Sequence, residues 1–158
     1  MKNINYKKLI ISLVLPQLAG FIGSIFTASA IPGWYAGLEK PSFNPPNWIF
    51  GPVWTLLFLL MGISFYLIWN KGLKGKESKI AVIIFAIQLA LNALWSIIFF
   101  GFHSPGVALV EIIFLWIAIL FTITTFSKIS KTAAYLLLPY ILWVSFAAIL
   151  NFSILIIN

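Results

Sequence analysis

Cysteine, arginine and aspartate are absent from these 158 residues, and there is one histidine. Without cysteine there is no disulfide framework, no thiolate metal site and no thiol nucleophile. Without aspartate no Ser-His-Asp set can form, and His103 alone does not make an ordinary metal site. No glycine-rich phosphate loop occurs either. No conventional catalytic set is visible, and no metal or required cofactor is expected. Charge is also scarce, at 8% of residues where a soluble domain carries about 25%. A soluble fold needs polar residues to cover its surface, and here they are too few.

Apolar residues take their place, at 62% of the chain. Five segments reach the ~20 residues that a spanning helix needs at ~1.5 Å rise each. They run approximately Lys8–Thr27, Gly51–Trp69, Ile80–Gly101, Gly106–Phe126 and Thr132–Ile157. Lipid offers no partner to an unpaired backbone amide, so the expected fold is an all-α membrane protein, a five-transmembrane-helix bundle forming one domain over residues 1–158. The alternating ten-residue strands of a barrel are not present, and no internal repeat suggests an inverted-repeat transporter.

All ten basic residues are lysines, in short clusters between the apolar runs. That pattern excludes a nucleic-acid surface and fits membrane orientation. Lys2, Lys7, Lys8, Lys71, Lys74, Lys76, Lys79, Lys128 and Lys131 fall on one side of the five spans and Lys40 on the other. The bias predicts a cytoplasmic N-terminus, with the first loop and the C-terminus outside. A rival reading takes the first segment as a secretory signal, with Ala28-Ser29-Ala30 as its cleavage site. The length of the run and the presence of Pro16, Gln17, Gly20 and Gly23 favour a retained helix. Ala19-x-x-x-Gly23 and Gly20-x-x-x-Ser24 are spacings that let helices approach closely.

The first loop, residues 31–49, is long for a compact bundle. Pro32, Pro41, Pro45 and Pro46 stiffen it, and Trp34, Tyr35, Phe43 and Trp48 give it an aromatic side. It is either an interfacial belt or a lid over a cavity between helices. The helices behind it favour a cavity. Gln88, Asn92, Trp95 and Phe99 share one face of the third helix, and amides in a membrane helix turn inward. Ala86, Ala90 and Ala93 lie nearly opposite, a small-residue strip suited to a homodimer contact. Trp54, Phe58, Met61 and Phe65 form a stripe on the second helix. Trp143, Phe146, Ala147 and Leu150 form another on the fifth, below an expected kink at Pro139. An apolar pocket with a few polar anchors results, suited to a large flat ligand. Glu39-Lys40 reads as a local charge pair and His103 as a turn residue. Glu111, about 9 Å along the fourth helix from Pro105, either snorkels to the outer interface or serves as a buried partner for another helix.

These residues resemble the translocator protein family, the tryptophan-rich sensory (TspO/MBR) proteins, over nearly the whole chain. The first-loop pattern is Trp34-Tyr35, Leu38-Glu39-Lys40-Pro41, Pro45-Pro46 and Phe50-Gly51-Pro52-Val53-Trp54. The third helix supplies Asn92, Trp95-Ser96 and Phe99-Phe100-Gly101. The fifth supplies Pro139-Tyr140, Trp143, Phe146-Ala147 and Leu150-Asn151. The resemblance implies a five-helix bundle, commonly homodimeric, that binds porphyrins and benzodiazepine-site drugs under the first loop. By position, the ligand-binding residues would be Tyr35, Pro45, Phe50, Trp54, Phe58, Asn92, Trp95, Trp143, Phe146 and Ala147. Family members are also linked to light-dependent porphyrin breakdown, for which Trp34 is the matching catalytic candidate. The chain departs from the family at Phe58, which is often Tyr. It also departs at Leu150-Asn151-Phe152, which lacks the Tyr and basic residue of a sterol motif. The expectation is a porphyrin-binding sensory protein, with porphyrin-degrading and transporting activities as alternatives, in the lipid of a bacterial or archaeal cell membrane.

Overall fold

The computed structural model describes residues 4–158, so Lys2 lies outside the described residues. The helices are α1 (Tyr6–Ala30), α2 (Asn47–Lys71), α3 (Lys76–Ser96), α4 (Pro105–Ile129), α5 (Lys131–Tyr135) and α6 (Leu138–Ile157). A π-helical turn, Ile97–Gly101, prolongs α3, and a 3₁₀ turn, Tyr35–Gly37, lies in the first loop. Among the described residues five helical units are long and apolar enough to cross a membrane, the fifth being α5 and α6 together. The expected all-α five-span architecture is what the chain adopts.

Local chemistry sets the ends of these helices. Asn5 caps α1 by accepting from the Lys8 amide at 3.1 Å, and Ser130 caps α5 through Ala133. Pro105 opens α4, where its missing N–H has no intrahelical partner to lose. Gly72 ends α2 at φ 106°, a conformation that favours glycine. Two boundaries differ from the sequence expectation. Helix α2 starts at Asn47, so the first loop is shorter than 31–49. The kink expected at Pro139 is instead a break: α5 stops at Tyr135, and Pro139 falls in the first turn of α6. A proline is tolerated there because the first helical amides have no acceptor within the helix.

The spans form a ring. Helix α1 packs on α2 and α3, α3 on α4, α4 on α6, and α5 on α2. Glycines set the closest approaches. A Cβ at Gly62 would stand 2.8 Å from the backbone of Ser12 and Leu13, so α1 crosses α2 almost backbone to backbone. Gly23 admits the side chain of Ser96 from α3 in the same way.

The two ends of the bundle differ. At the lysine-rich end the interior is filled, with Phe65 stacked on Phe85 at 4.7 Å and Phe85 on Phe126 at 5.8 Å. At the loop end the helices enclose space. Glu111 belongs to the interior: it is 7% exposed and neither carboxyl oxygen has a hydrogen-bond partner among the described residues. It does not snorkel, because its two-carbon stem starts almost two turns inside α4.

Candidate ligand-binding site

A cavity of about 920 Å³ lies under the first loop, between α1, α2, α3 and α6. Phe50, Trp54 and Phe58 line it from α2, and Asn92 and Trp95 from α3. Trp143 and Ala147 come from α6, and Tyr35 from the loop. Eight of the ten residues expected at a ligand site therefore meet in one volume. The helical spacing explains this, because residues three and four apart share a face. The rings also order one another. Trp54 stacks on Phe58 at 5.5 Å, Phe50 meets Trp143 edge-on at 6.1 Å, and Trp95 stacks on Phe99 at 5.1 Å.

Pro45 and Phe146 stand outside the lining. Phe146 packs behind Trp143 at 5.3 Å and carries Phe43 of the loop at 6.3 Å, so it supports the wall. Trp34 also lies off the cavity, half-buried, with its ring stacked on His103 at 4.5 Å and 10° and edge-on to Phe99 at 5.5 Å. His103 sits in a turn as expected, at φ 52°, and also serves as a platform for Trp34.

The polar groups of the cavity are few, and most are engaged. Asn92 donates to the Tyr140 hydroxyl at 2.9 Å. Trp95 donates to Asn151 at 3.2 Å, and Asn151 in turn donates to the Pro105 carbonyl at 2.8 Å. Trp143 is different: its buried indole N–H has no acceptor among the described residues, leaving a donor in the wall. Gln88 shares the inward face with Asn92 but lies below the floor, donating to the Met61 sulfur at 3.8 Å.

The roof is tied down at three places. Tyr35 is buried and donates to Asn44 at 3.0 Å, and Asn44 closes the turn on the Pro45 carbonyl at 3.1 Å. Burial holds the Tyr35 hydroxyl above its ordinary pKa of 10.0, and the Asn44 bond partly opposes that rise. Lys40 lies 4.8 Å over the Tyr35 ring and donates to the Leu38 carbonyl at 2.8 Å. It thus braces the roof in place of the expected pairing with Glu39. Asn158 of α6 brackets Glu39, accepting from its amide at 2.9 Å and donating to its carbonyl at 3.0 Å.

Sequence reasoning missed the fourth wall. Gln17, Gly20, Ser24 and Thr27 of α1 line the cavity, and Gln17 reaches the Thr55 carbonyl at 3.3 Å. The signal lay in the Gly20 and Gly23 spacings, which had suggested only close packing. Gly20 is where the Phe58 ring sits, and Gly23 is where Ser96 sits. The π-turn was also missed. It adds a residue to the last turn of α3, so that Phe99 and Phe100 both meet Tyr35, at 6.4 and 5.6 Å.

Comparison with known proteins agrees with this geometry. Residues 12–157 match the model of the TspO/MBR family. The chain is 49% identical to the tryptophan-rich protein TspO of Archaeoglobus fulgidus, over 98% of this chain and 99% of that one. It is 42% identical to the human translocator protein, over 88% and 83% of the two chains. With the tryptophan-rich sensory protein of Cereibacter sphaeroides it shares 34% identity over 79% and 77%. A family match that takes in all five spans, with relatives of this identity and coverage, leaves one assignment: this chain is an integral membrane protein of the TspO/MBR family.

Proposed function

We propose that the chain binds porphyrins and other flat hydrophobic ligands, including benzodiazepine-site drugs, in the cavity under the first loop. The observation that carries this reading is the convergence of Trp54, Trp95 and Trp143 from three helices on one volume of about 920 Å³ beneath Tyr35. That volume is within the range of pockets that enclose drug-sized molecules. Aromatic walls stack on a flat ring system, and the unpaired Trp143 N–H suits an acceptor such as a carbonyl or carboxylate. Saturable quenching of tryptophan fluorescence by a porphyrin tests the reading, and an unsaturable or absent quench overturns it.

A second reading, light-dependent porphyrin breakdown, draws support from the edge-on contact of Trp34 with Phe99, which lines the cavity. Porphyrin consumption under illumination, with Trp34→Phe as comparison, separates binding alone from breakdown. A homodimer through the face of Ala86, Ala90 and Ala93 belongs to the same proposal, since Ala86 and Ala90 are exposed along α3. So does a cytoplasmic placement for the lysine-rich end, with the roofed end outside the cell membrane.

A further inference from the structure

The lysine-rich end holds a second cavity, of about 480 Å³, at the junction of α1, α2 and the α2–α3 turn. Lys8 enters it from the first turn of α1, Lys71 from the last turn of α2, and Lys74 from the turn itself. Trp69 and Leu73 complete its side walls. No acid lines it, and Glu77, the one acid at this end, stands outside.

Three lysines that line one volume repel one another, and exposed lysines without a constraint spread into solvent. Two of these are held in place. Lys8 donates to the Trp69 carbonyl at 3.2 Å and lies 5.9 Å from the indole, and Lys71 donates to the Ile129 carbonyl of α4. Each of those bonds uses one of three ammonium protons, leaving donors for another acceptor. Lys74 makes no hydrogen bond among the described residues. Fixed like charges, free donors and no local counter-charge describe a seat for an anion.

We propose that this cavity binds the phosphate headgroup of an anionic phospholipid. Phosphate chemistry is also available from soluble phosphate, but the setting favours lipid. The cavity sits at the end of a spanning helix, at headgroup depth, and Trp69 is the kind of half-buried aromatic that marks that depth.

The test uses delipidated full-length protein in neutral detergent, with lipid retention read by native mass spectrometry. Phosphatidylglycerol should be retained at least tenfold more tightly than phosphatidylcholine. Lys74→Gln, which breaks no bond within the chain, should weaken phosphatidylglycerol about fivefold. That figure is the ~1 kcal/mol that a lysine near an anionic surface contributes, converted at 1.4 kcal/mol per tenfold. Lys8→Gln should do at least as much, with Lys8→Arg restoring retention, while Lys131→Gln on the same end should change little. Equal retention of the two lipids, or an equal effect of Lys131→Gln, overturns the site. Full displacement of phosphatidylglycerol by millimolar inorganic phosphate overturns the lipid assignment.

Discussion

Gly20 of α1 faces the ring of Phe58 on α2 so closely that a Cβ at Gly20 would collide with the aromatic carbons. The glycine therefore defines where the ring lies, and the ring is part of the cavity wall. Gly20→Ala should drive Phe58 into the cavity. Overpacking of this kind costs about 1–3 kcal/mol. A lower melting temperature and several-fold weaker porphyrin binding are expected, with Phe58→Leu, a smaller apolar side chain, as a second change recovering part of the stability. Unchanged melting and binding in Gly20→Ala would place the ring elsewhere.

Trp143→Ala removes both a stacking surface and a buried donor of the wall that has no acceptor among the described residues. Stacking contributes on the order of 0.5–1.5 kcal/mol beyond burial, so porphyrin affinity should fall between about tenfold and a hundredfold. Trp69→Ala, at the lysine-rich end, should leave porphyrin binding intact. Trp116 is a poor control, because its indole donates to Ser145 at 2.8 Å and joins α4 to α6. Fluorescence titration of both variants checks this, and equal losses for Trp143→Ala and Trp69→Ala would remove the pocket assignment.

Much of this arrangement was legible in residue spacing. Gln88, Asn92, Trp95 and Phe99 recur at helical intervals, and amides do not face lipid, so their inward direction followed directly. What spacing conceals is where the backbone leaves its regular period. The π-turn at Ile97–Gly101 has no glycine or proline at its point of departure in α3 to announce it, whereas the break between Tyr135 and Leu138 follows from Pro139, which has no N–H for the Tyr135 carbonyl. Helix α1 was hidden for another reason. It lines the cavity with Gln17, Ser24 and Thr27 beside the space left at Gly20 and Gly23, and hydropathy registers neither where a side chain points nor that it is absent. Glu111 could not be placed, since a carboxyl of that depth is consistent with either face until the packing of α4 is known.

Alkaline pH should loosen the roof through Tyr35. Burial raises its pKa in the closed structure above 10.0, so the hydroxyl is neutral in both open and closed forms well below that value. Its stabilising contribution is complete there. As pH climbs past the ordinary tyrosine value, the exposed form ionises first, and the contribution is lost as pH rises through the closed-state value. Protease protection of the first loop, followed from about pH 9 to 11, should fall in the native chain and fall less in Tyr35→Phe. Identical profiles would dissociate Tyr35 from roof closure.

Ala90→Leu tests the assembly. Ala86 and Ala90 are exposed while Gln88 and Asn92 point inward, so in the proposed dimer a bulky residue at Ala90 would meet the partner subunit and leave the cavity untouched. Cross-linking in detergent should show a weakened dimer, with porphyrin binding within about twofold. Lost binding with an intact dimer would mean that the faces are reversed.

Orientation is checked with a reporter fused after Asn158, which should register the outer side, and one fused before Met1, which should register the cytoplasm. Reporters on the same side would contradict an odd number of spans.

The clasp between Asn158 and Glu39 sets how often the roof can lift. A side-chain amide that accepts from one residue's N–H and donates to its C=O imitates a rung of a β-ladder, here between a loop and the last turn of a spanning helix. Two such bonds at ~1 kcal/mol each lower the equilibrium share of open roofs by about thirtyfold. A ligand arriving from above would then wait on a minority population, so its arrival rate would be limited by unlatching and would level off with concentration. Asn158→Ala would turn a gated association into an ordinary second-order one.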